Sequence, residues 1–410
     1  MGVTPRADRL QQDLDALSDF REDGQPRWTR RVFSDAFRRS RPWLAERMID
    51  AGMQAEVDAA CNVVGTLPGS DPSLPTLVTG SHTDTVRGGG RFDGIVGVLG
   101  AIEAIRLLVE AGVRPRHTIR VVDFAGEEAN DFGFSCVGSR ALAGHLDARH
   151  LELRDPSGRT LAEVLSAAGG DPDRVLDLAW SADDVARFVE LHIEQGPVLE
   201  ATGTQVGVVT GIVGIHRMKA TFQGRADHAG TTPMGMRRDA ACAAAEAILA
   251  VERAAADMGV STTGRVAVEP GASNVVPGRA EILAEFRSED TTWLTSNRSA
   301  VGKDLEEIAD RRGVPVTMEW LMGEEPVHCA PEMIAAIEDV LGGLGLSYQR
   351  MPSGAGHDAV MMAELAPVGM IFVPSRDGRS HTEEEWTDIE DIGRGIQVLA
   401  ETLALLDRSL

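Results

Sequence analysis

Histidines and carboxylates gather at four places in this chain, each just after an apolar run. GSHTDTVRGGGRFDG, residues 80–94, holds His82, Asp84 and Asp93 around three consecutive glycines. FAGEEAN sets Glu127 beside Glu128, ELHIEQG offers His192, and RDGRSHTEEEW offers His381. A glycine loop between strand and helix also begins nucleotide sites. Here GxxxxGK[ST] is absent, the glycines do not fall as GxGxxG, and an acid-rich loop repels a pyrophosphate. A lone histidine or glutamate pair at a strand end is usually solvated or hydrogen-bonded; joint placement at strand ends, where open α/β sheets bind ligands, points to a site. Nitrogen and oxygen donors without thiolate suit zinc, manganese, cobalt or nickel. Five such ligands for two metals leave positions open for water and substrate, as hydrolysis needs. One of the adjacent glutamates is then spare to act as general base, and either member of the pair fits that role.

These residues need a scaffold, and the apolar periodicity supplies one. From about residue 75 to 200 the pattern alternates: strand LPTLVTG, helix IVGVLGAIEAIRLLVEAG, strand HTIRVVDFAG, a helix around VGSRALAG, then the run FVELHIEQG. This predicts an α/β domain with largely parallel strands. After GVVTGIVG the order becomes strand GIHRMKATFQG, an Ala-rich helix over 238–258 ending at Gly259, strands GRVAVE and RAEILAEFRS, a helix over 292–313, and strand VPVTMEW. That is β-α-β-β-α-β, a ferredoxin-like unit. It predicts an inserted domain at 212–325 within a catalytic domain of 1–211 and 326–410, because EMIAAIEDVLGGLG, VGMIFVP and the helix IEDIGRGIQVLAETLALLD resume the α/β pattern.

Composition bounds the partners. The 410 residues carry 40 basic and 63 acidic side chains, a net charge of -23, which opposes contact with nucleic acid or an anionic membrane and favours small-molecule partners. Cys61, Cys136, Cys242 and Cys329 form no CxxC pair and suggest neither a disulfide framework nor a thiolate zinc site. The N-terminus reads as an amphipathic polar helix without a signal-peptide core, and no apolar run reaches membrane-spanning length, so a cytoplasmic location is expected.

GSHTDTVRGGGRFDG, FAGEEANDFGFSCVGSRALAG, ELHIEQGPVLE, GRADHAGTTPM, GASNVVPG and SGAGHDA together resemble the M20 metallopeptidase clan. More narrowly, they resemble its branch of N-carbamoyl-L-amino acid hydrolases and allantoate amidohydrolases, with ELHIEQGPVLE and HAGTTPM specific to it. The resemblance spans nearly the whole chain. It implies a mixed-sheet dinuclear metallohydrolase domain with an inserted lid and dimerisation domain. His82, Asp93 and His192 would hold the first of two divalent metals, and Asp93, Glu128 and His381 the second, with Asp93 between them. Asp84 would orient His82 and Glu127 would be the base. Gln195, His228, Asn274 and Arg287 would bind a small substrate that carries a carboxylate and a ureido or amide group. Arg287 would grip the carboxylate with its guanidinium fork, although in AEFRSED it also reads as a solvated strand-end base. Gly356 and His357, in SGAGHDA, would line the pocket; His357 reads equally as a structural histidine.

The implied reaction is hydrolysis of the carbamoyl C–N bond of an N-carbamoyl-L-amino acid to the amino acid, carbon dioxide and ammonia. Allantoate is the alternative substrate, followed by an aminoacylase or dipeptidase activity and by a binding protein without catalysis. The resemblance also implies a homodimer through the inserted domain, with His228 reaching the partner's site. The apolar face of the Ala-rich helix would suit such pairing, although a helix packed on its own sheet looks the same. EEAN stands where many relatives read EEG, and RDGRSHTEEEW is longer than the ISHNP-type loop; both departures flank the pocket and bear on substrate choice.

Overall fold

The computed structural model describes residues 4–255, 258–321 and 323–410. The chain divides into two units, Met1–Thr210 with Cys329–Leu410, and Gly211–His328. In chain order the strands are β1 (Gln54–Val57), β2 (Val63–Leu67), β3 (Thr76–His82), β4 (Ile119–Phe124), β5 (Val185–Ile193), β6 (Val206–Ile212), β7 (Gly214–Gln223), β8 (Asp227–His228), β9 (Val260–Glu269), β10 (Val275–Val276), β11 (Arg279–Ser288), β12 (Val316–Trp320), β13 (Val327–His328), β14 (Tyr348–Ser353) and β15 (Val368–Val373).

The first unit is built on a mixed sheet in the order β1-β2-β4-β3-β5-β15-β6, with β14 also on β6. Only its centre, β4-β3-β5-β15, is parallel. The pairs β1–β2, β2–β4 and β15–β6 are antiparallel, so the expectation of largely parallel strands holds for the centre alone. Every residue of β3 and β15 is buried, as in strands covered on both faces. The helix Ile95–Glu110 is buried nearly all round and packs against β3, β5 and the C-terminal helix Ile389–Ser409. Its charged residues are paired: Glu103 with Arg9 at 2.7 Å and Arg106 with Asp13 at 2.6 Å, both partners on the N-terminal helix Ala7–Ser18.

The second unit follows the β-α-β-β-α-β order, with an antiparallel sheet β12-β7-β11-β9 and the helices Ala240–Ala254 and Thr291–Arg312. It begins at Gly211 and ends at His328, against the expected 212 and 325. The end of β6 pairs there with β13, Ile212 opposite Val327 and Gly211 opposite His328. The Ala-rich helix ends at Ala254, so Gly259 does not cap it; residues 256 and 257 of the expected span lie outside the described residues. Its alanine face is not exposed. Ala240, Ala243, Ala244, Ala247 and Ala250 are buried in one core with Phe222, Ile282 and Phe286 of the sheet, because small side chains let a helix lie close on a sheet. No helix among the described residues is long and apolar enough to cross a membrane.

Candidate metal centre

The sheet order explains how residues distant in sequence meet. Strands β4, β3, β5 and β15 are consecutive neighbours and parallel, so their C-terminal ends line up about 4.8 Å apart. Those ends carry, in the same order, Glu127 and Glu128, His82, His192 and His381. Asp93 enters from the loop after β3, just before the helix Ile95–Glu110. The turn needs Gly94: φ is +66°, and a Cβ there would lie 2.4 Å from the His82 ring.

Asp93 faces two ways. Its Oδ1 lies 3.2 Å from His192 Nε2 and 3.9 Å from His82 Nε2, while Oδ2 lies 3.0 Å from His381 Nε2. Glu128 Oε1 lies 3.3 Å from His381 Nε2. Two donor groups result, His82–Asp93–His192 and Asp93–Glu128–His381, each with its ligand atoms within 4.8 Å of one another. The chemistry of these donors fits divalent cations. The Nδ1 atoms of His82 and His192 lie 3.0 Å from the Asp84 carbonyl and 2.9 Å from the Ile193 carbonyl, an arrangement that directs Nε2 toward a ligand. Thiolate is absent from both groups: Cys136 Sγ lies 4.0 Å from Glu127 Oε1, and burial holds that thiol well above its ordinary value.

Asp84 meets the His82 ring, its carbonyl 3.0 Å and its carboxylate 3.9 Å from Nδ1. The carboxylate also accepts from the backbone N–H groups of Gly126, Glu127 and Glu128 at 3.0, 3.3 and 3.3 Å. It therefore fixes the turn that presents the glutamate pair. Burial, with the charges of Glu128 and Asp358, holds the Glu127 carboxyl well above its ordinary value, which suits a proton carrier. Burial also works against ionising Asp93, yet hydrogen bonds from His192 and His381 hold its carboxyl well below the usual range. Burial likewise opposes charge on His82, but Asp84, Asp93 and Glu128 raise it to about 9. Hydrogen bonds to Asp93 and Glu128 raise His381 to about 11.

Gln195 and His381 both adopt positive φ, 57° in each case, a conformation that costs a side-chain-bearing residue energy and clusters at functional sites. Gln195 Nε2 donates to Asp93 Oδ2 at 2.9 Å, and its Oε1 is buried without a hydrogen-bond partner among the described residues. A Cβ on Gly356 would lie 4.0 Å from Glu127 Oε1. His357 is buried, 2.7 Å from Ser353 Oγ through Nε2 and edge-on to His192 at 4.5 Å. The sequence reading missed Glu190 and Asp358 beneath the site: Glu190 accepts from Ser81 Oγ and the Ala359 N–H, and Asp358 from Ser139 Oγ. Alternation in ELHIE was the available signal, since residues two apart in a strand share a face. Glu128, Ala129 and Asn130 of the EEAN stretch line a cavity of about 340 Å³ with Phe33, Asp84, Phe132 and Arg159.

The remaining expected substrate residues lie in the second unit. His228 and Asn274 are exposed and neighbouring: His228 pairs with Val275 across β8 and β10, and the Ala229 N–H donates to the Asn274 carbonyl. Arg287, near the end of β11, donates through Nε to Glu285 at 2.6 Å.

A sheet whose carboxyl edge gathers imidazoles around a two-sided carboxylate, with a second carboxyl beside it, defines a metal-dependent hydrolase. Residues 78–405 match peptidase family M20/M25/M40, and the chain belongs to it. It is 41% identical over 405 residues to N-carbamoyl-L-amino acid amidohydrolase of Geobacillus stearothermophilus, covering 97% of this chain and 98% of that one. It is 38% identical to the enzyme of that name from Paenarthrobacter aurescens, with 98% of each covered. Allantoate amidohydrolase of Escherichia coli K12 is 35% identical, with 97% of each covered. A hydantoinase/carbamoylase family amidase from Burkholderia multivorans superimposes with a TM-score of 0.93 at 33% identity, over 99% of both chains.

Proposed function

We propose that this protein is a dinuclear metal-dependent amidohydrolase that cleaves the carbamoyl C–N bond of N-carbamoyl-L-amino acids, releasing the L-amino acid, carbon dioxide and ammonia. The observation that carries the reading is Asp93 set between two imidazole-containing donor groups with Glu127 beside them, in a chain similar end to end to enzymes of that name. His82, Asp93 and His192 would hold one cation, and Asp93, Glu128 and His381 the other. Zinc, manganese, cobalt or nickel at these positions supplies Lewis acidity toward a carbonyl oxygen and makes water more acidic. Glu127 takes the proton of the attacking water and delivers it to the leaving nitrogen. Asp84 keeps Glu127 in place through the backbone of its turn. Gln195 and Gly356 line the reacting end, Arg287 grips the substrate carboxylate, and His228 donates to the carbonyl oxygen as charge develops there.

A ureide such as allantoate is the second reading, favoured by the likeness to the Escherichia coli enzyme; it too places a ureido group near a carboxylate. Supplying the protein with excess manganese or zinc and a panel of N-carbamoyl amino acids, allantoate and N-acyl amino acids, then measuring ammonia and amine release, tests both. Turnover of N-acyl amino acids alone would overturn them.

A homodimer through the second unit, in the cytoplasm, belongs to the same proposal. Strand β9 supports it: this edge strand exposes Val260, Val266 and Val268, and an edge strand's unpaired backbone groups are a template for pairing with a second strand.

A further inference from the structure

Three consecutive glycines precede Asp93, and the last of them leaves room for a carboxylate. A Cβ on Gly90 would lie 1.8 Å from Glu385 Oε1. Glu385 stands four residues beyond His381 and is 2% exposed. Its Oε1 accepts from two successive backbone N–H groups, those of Phe92 at 2.8 Å and Asp93 at 3.0 Å. Its Oε2 accepts from Ser380 Oγ at 2.7 Å. Ser380 also lies 3.3 Å from Asp93 Oδ2, and Gln195 Nε2 lies 3.4 Å from Ser380 Oγ. One buried side chain thus ties the backbone of the residue shared by both donor groups to the loop that carries His381.

We propose that Glu385 is a positioning residue of the metal centre, holding Asp93 by its backbone so that the two carboxylate oxygens face opposite donor groups, with Gly90 as the space it requires. Both of its oxygens are occupied by N–H and O–H donors, so it acts through Asp93 and does not itself belong to either donor group. A carboxylate accepting two adjacent amides fixes two peptide planes at once. Without it, those buried N–H groups lose their partner and Asp93 can rotate away from its two-sided pose. The inference rests on the metal reading above.

The test measures zinc affinity of the full-length, metal-stripped protein by competition with a chromophoric chelator, together with the visible spectrum after loading with cobalt. Glu385→Ala should weaken zinc binding about 10- to 100-fold and change the cobalt spectrum, while circular dichroism remains that of the wild type. Glu385→Gln keeps an oxygen for the two amides and presents N–H to Ser380, so it should retain wild-type affinity. Gly90→Ala, which pushes the carboxylate away without altering any donor, should reproduce the loss and decides the matter if Glu385→Ala does not fold. A tie that merely holds the fold would lower the melting temperature of the stripped protein and leave the affinity of the folded variants unchanged. That result overturns the proposal, as would a Gln variant as defective as the Ala variant. If the wild type itself takes up no zinc, the metal reading fails instead.

Discussion

Glu127 and Glu128 are adjacent in sequence yet point to different work, and isosteric substitution separates them. Glu127→Gln removes the proposed proton carrier and leaves both donor groups intact, so metal content should persist while kcat falls roughly 100-fold or more. Glu128→Gln should instead lower occupancy of the cation shared with His381, read by elemental analysis; the opposite pattern would exchange the two roles. Arg287→Lys keeps the charge but loses the two-point fork, which should raise KM for carboxylate substrates, by about 2 kcal/mol of binding where the pair is shielded from water; an unchanged KM removes Arg287 from the pocket. The donor residues were legible because each is an imidazole or carboxylate at the end of an apolar run. Glu385 was not, since it closes a run of three glutamates in SHTEEEW and nothing in a sequence says which of three identical side chains turns inward. Asp84 was legible as a supporting residue, but its division of labour between carbonyl and carboxylate depends on a backbone path that residue type does not report.

Elements decide which of these residues become neighbours. The central strands read clearly because strands buried on both faces leave nearly continuous apolar runs. The short strands β1, β2 and β14 toward the margins of the sheet are only partly buried and carry a weaker pattern, so the antiparallel margins went unseen. The Ala-rich helix was found, but which neighbour its small face would meet was not, since alanine suits a close-packed sheet and an interface equally. Beneath the His82 loop lies a second dependence. Asp123, the penultimate residue of β4, is fully buried against Arg41 at 2.5 Å and accepts from Thr83 Oγ1 at 3.0 Å, between His82 and Asp84. Asp123→Asn leaves the Arg41 charge buried without its partner and should cost about 3 kcal/mol, measured by urea unfolding of the metal-stripped protein. A loss near that of an exposed ion pair would show that the charge is compensated elsewhere.

Across the whole molecule, protons and cations compete for the same acidic pocket. His82 at about 9 and His381 at about 11 both lie above the ordinary imidazole value. In the metal-free chain their charged contacts therefore stabilise fully below about pH 6.5 and weaken as pH rises through about 9 for His82 and about 11 for His381. Ligation needs neutral imidazole, so zinc affinity should climb across that same interval with proton release, seen by calorimetry in two buffers of different ionisation enthalpy. Affinity that is flat with pH would contradict these shifts. If His228 serves the partner's site, His228→Ala and Glu127→Gln chains unfolded and refolded together should recover roughly a quarter of wild-type activity, since half the dimers are mixed and each has one intact site. No recovery above the two separate mutants, with mixed dimers confirmed, means that His228 serves its own chain or has no catalytic role. The pairing of Ile212 with Val327 carries a further consequence: the chain leaves the first unit and returns to it through one doorway, which makes the second unit a removable cassette. Joining those two residues by a two-residue β-turn should yield a shortened chain that still folds and captures zinc as the parent does, but no longer holds a substrate by its carboxylate. Affinity for the cation and choice of substrate would then be separately exchangeable parts, and a cassette from a relative with another preference could be spliced into the same doorway.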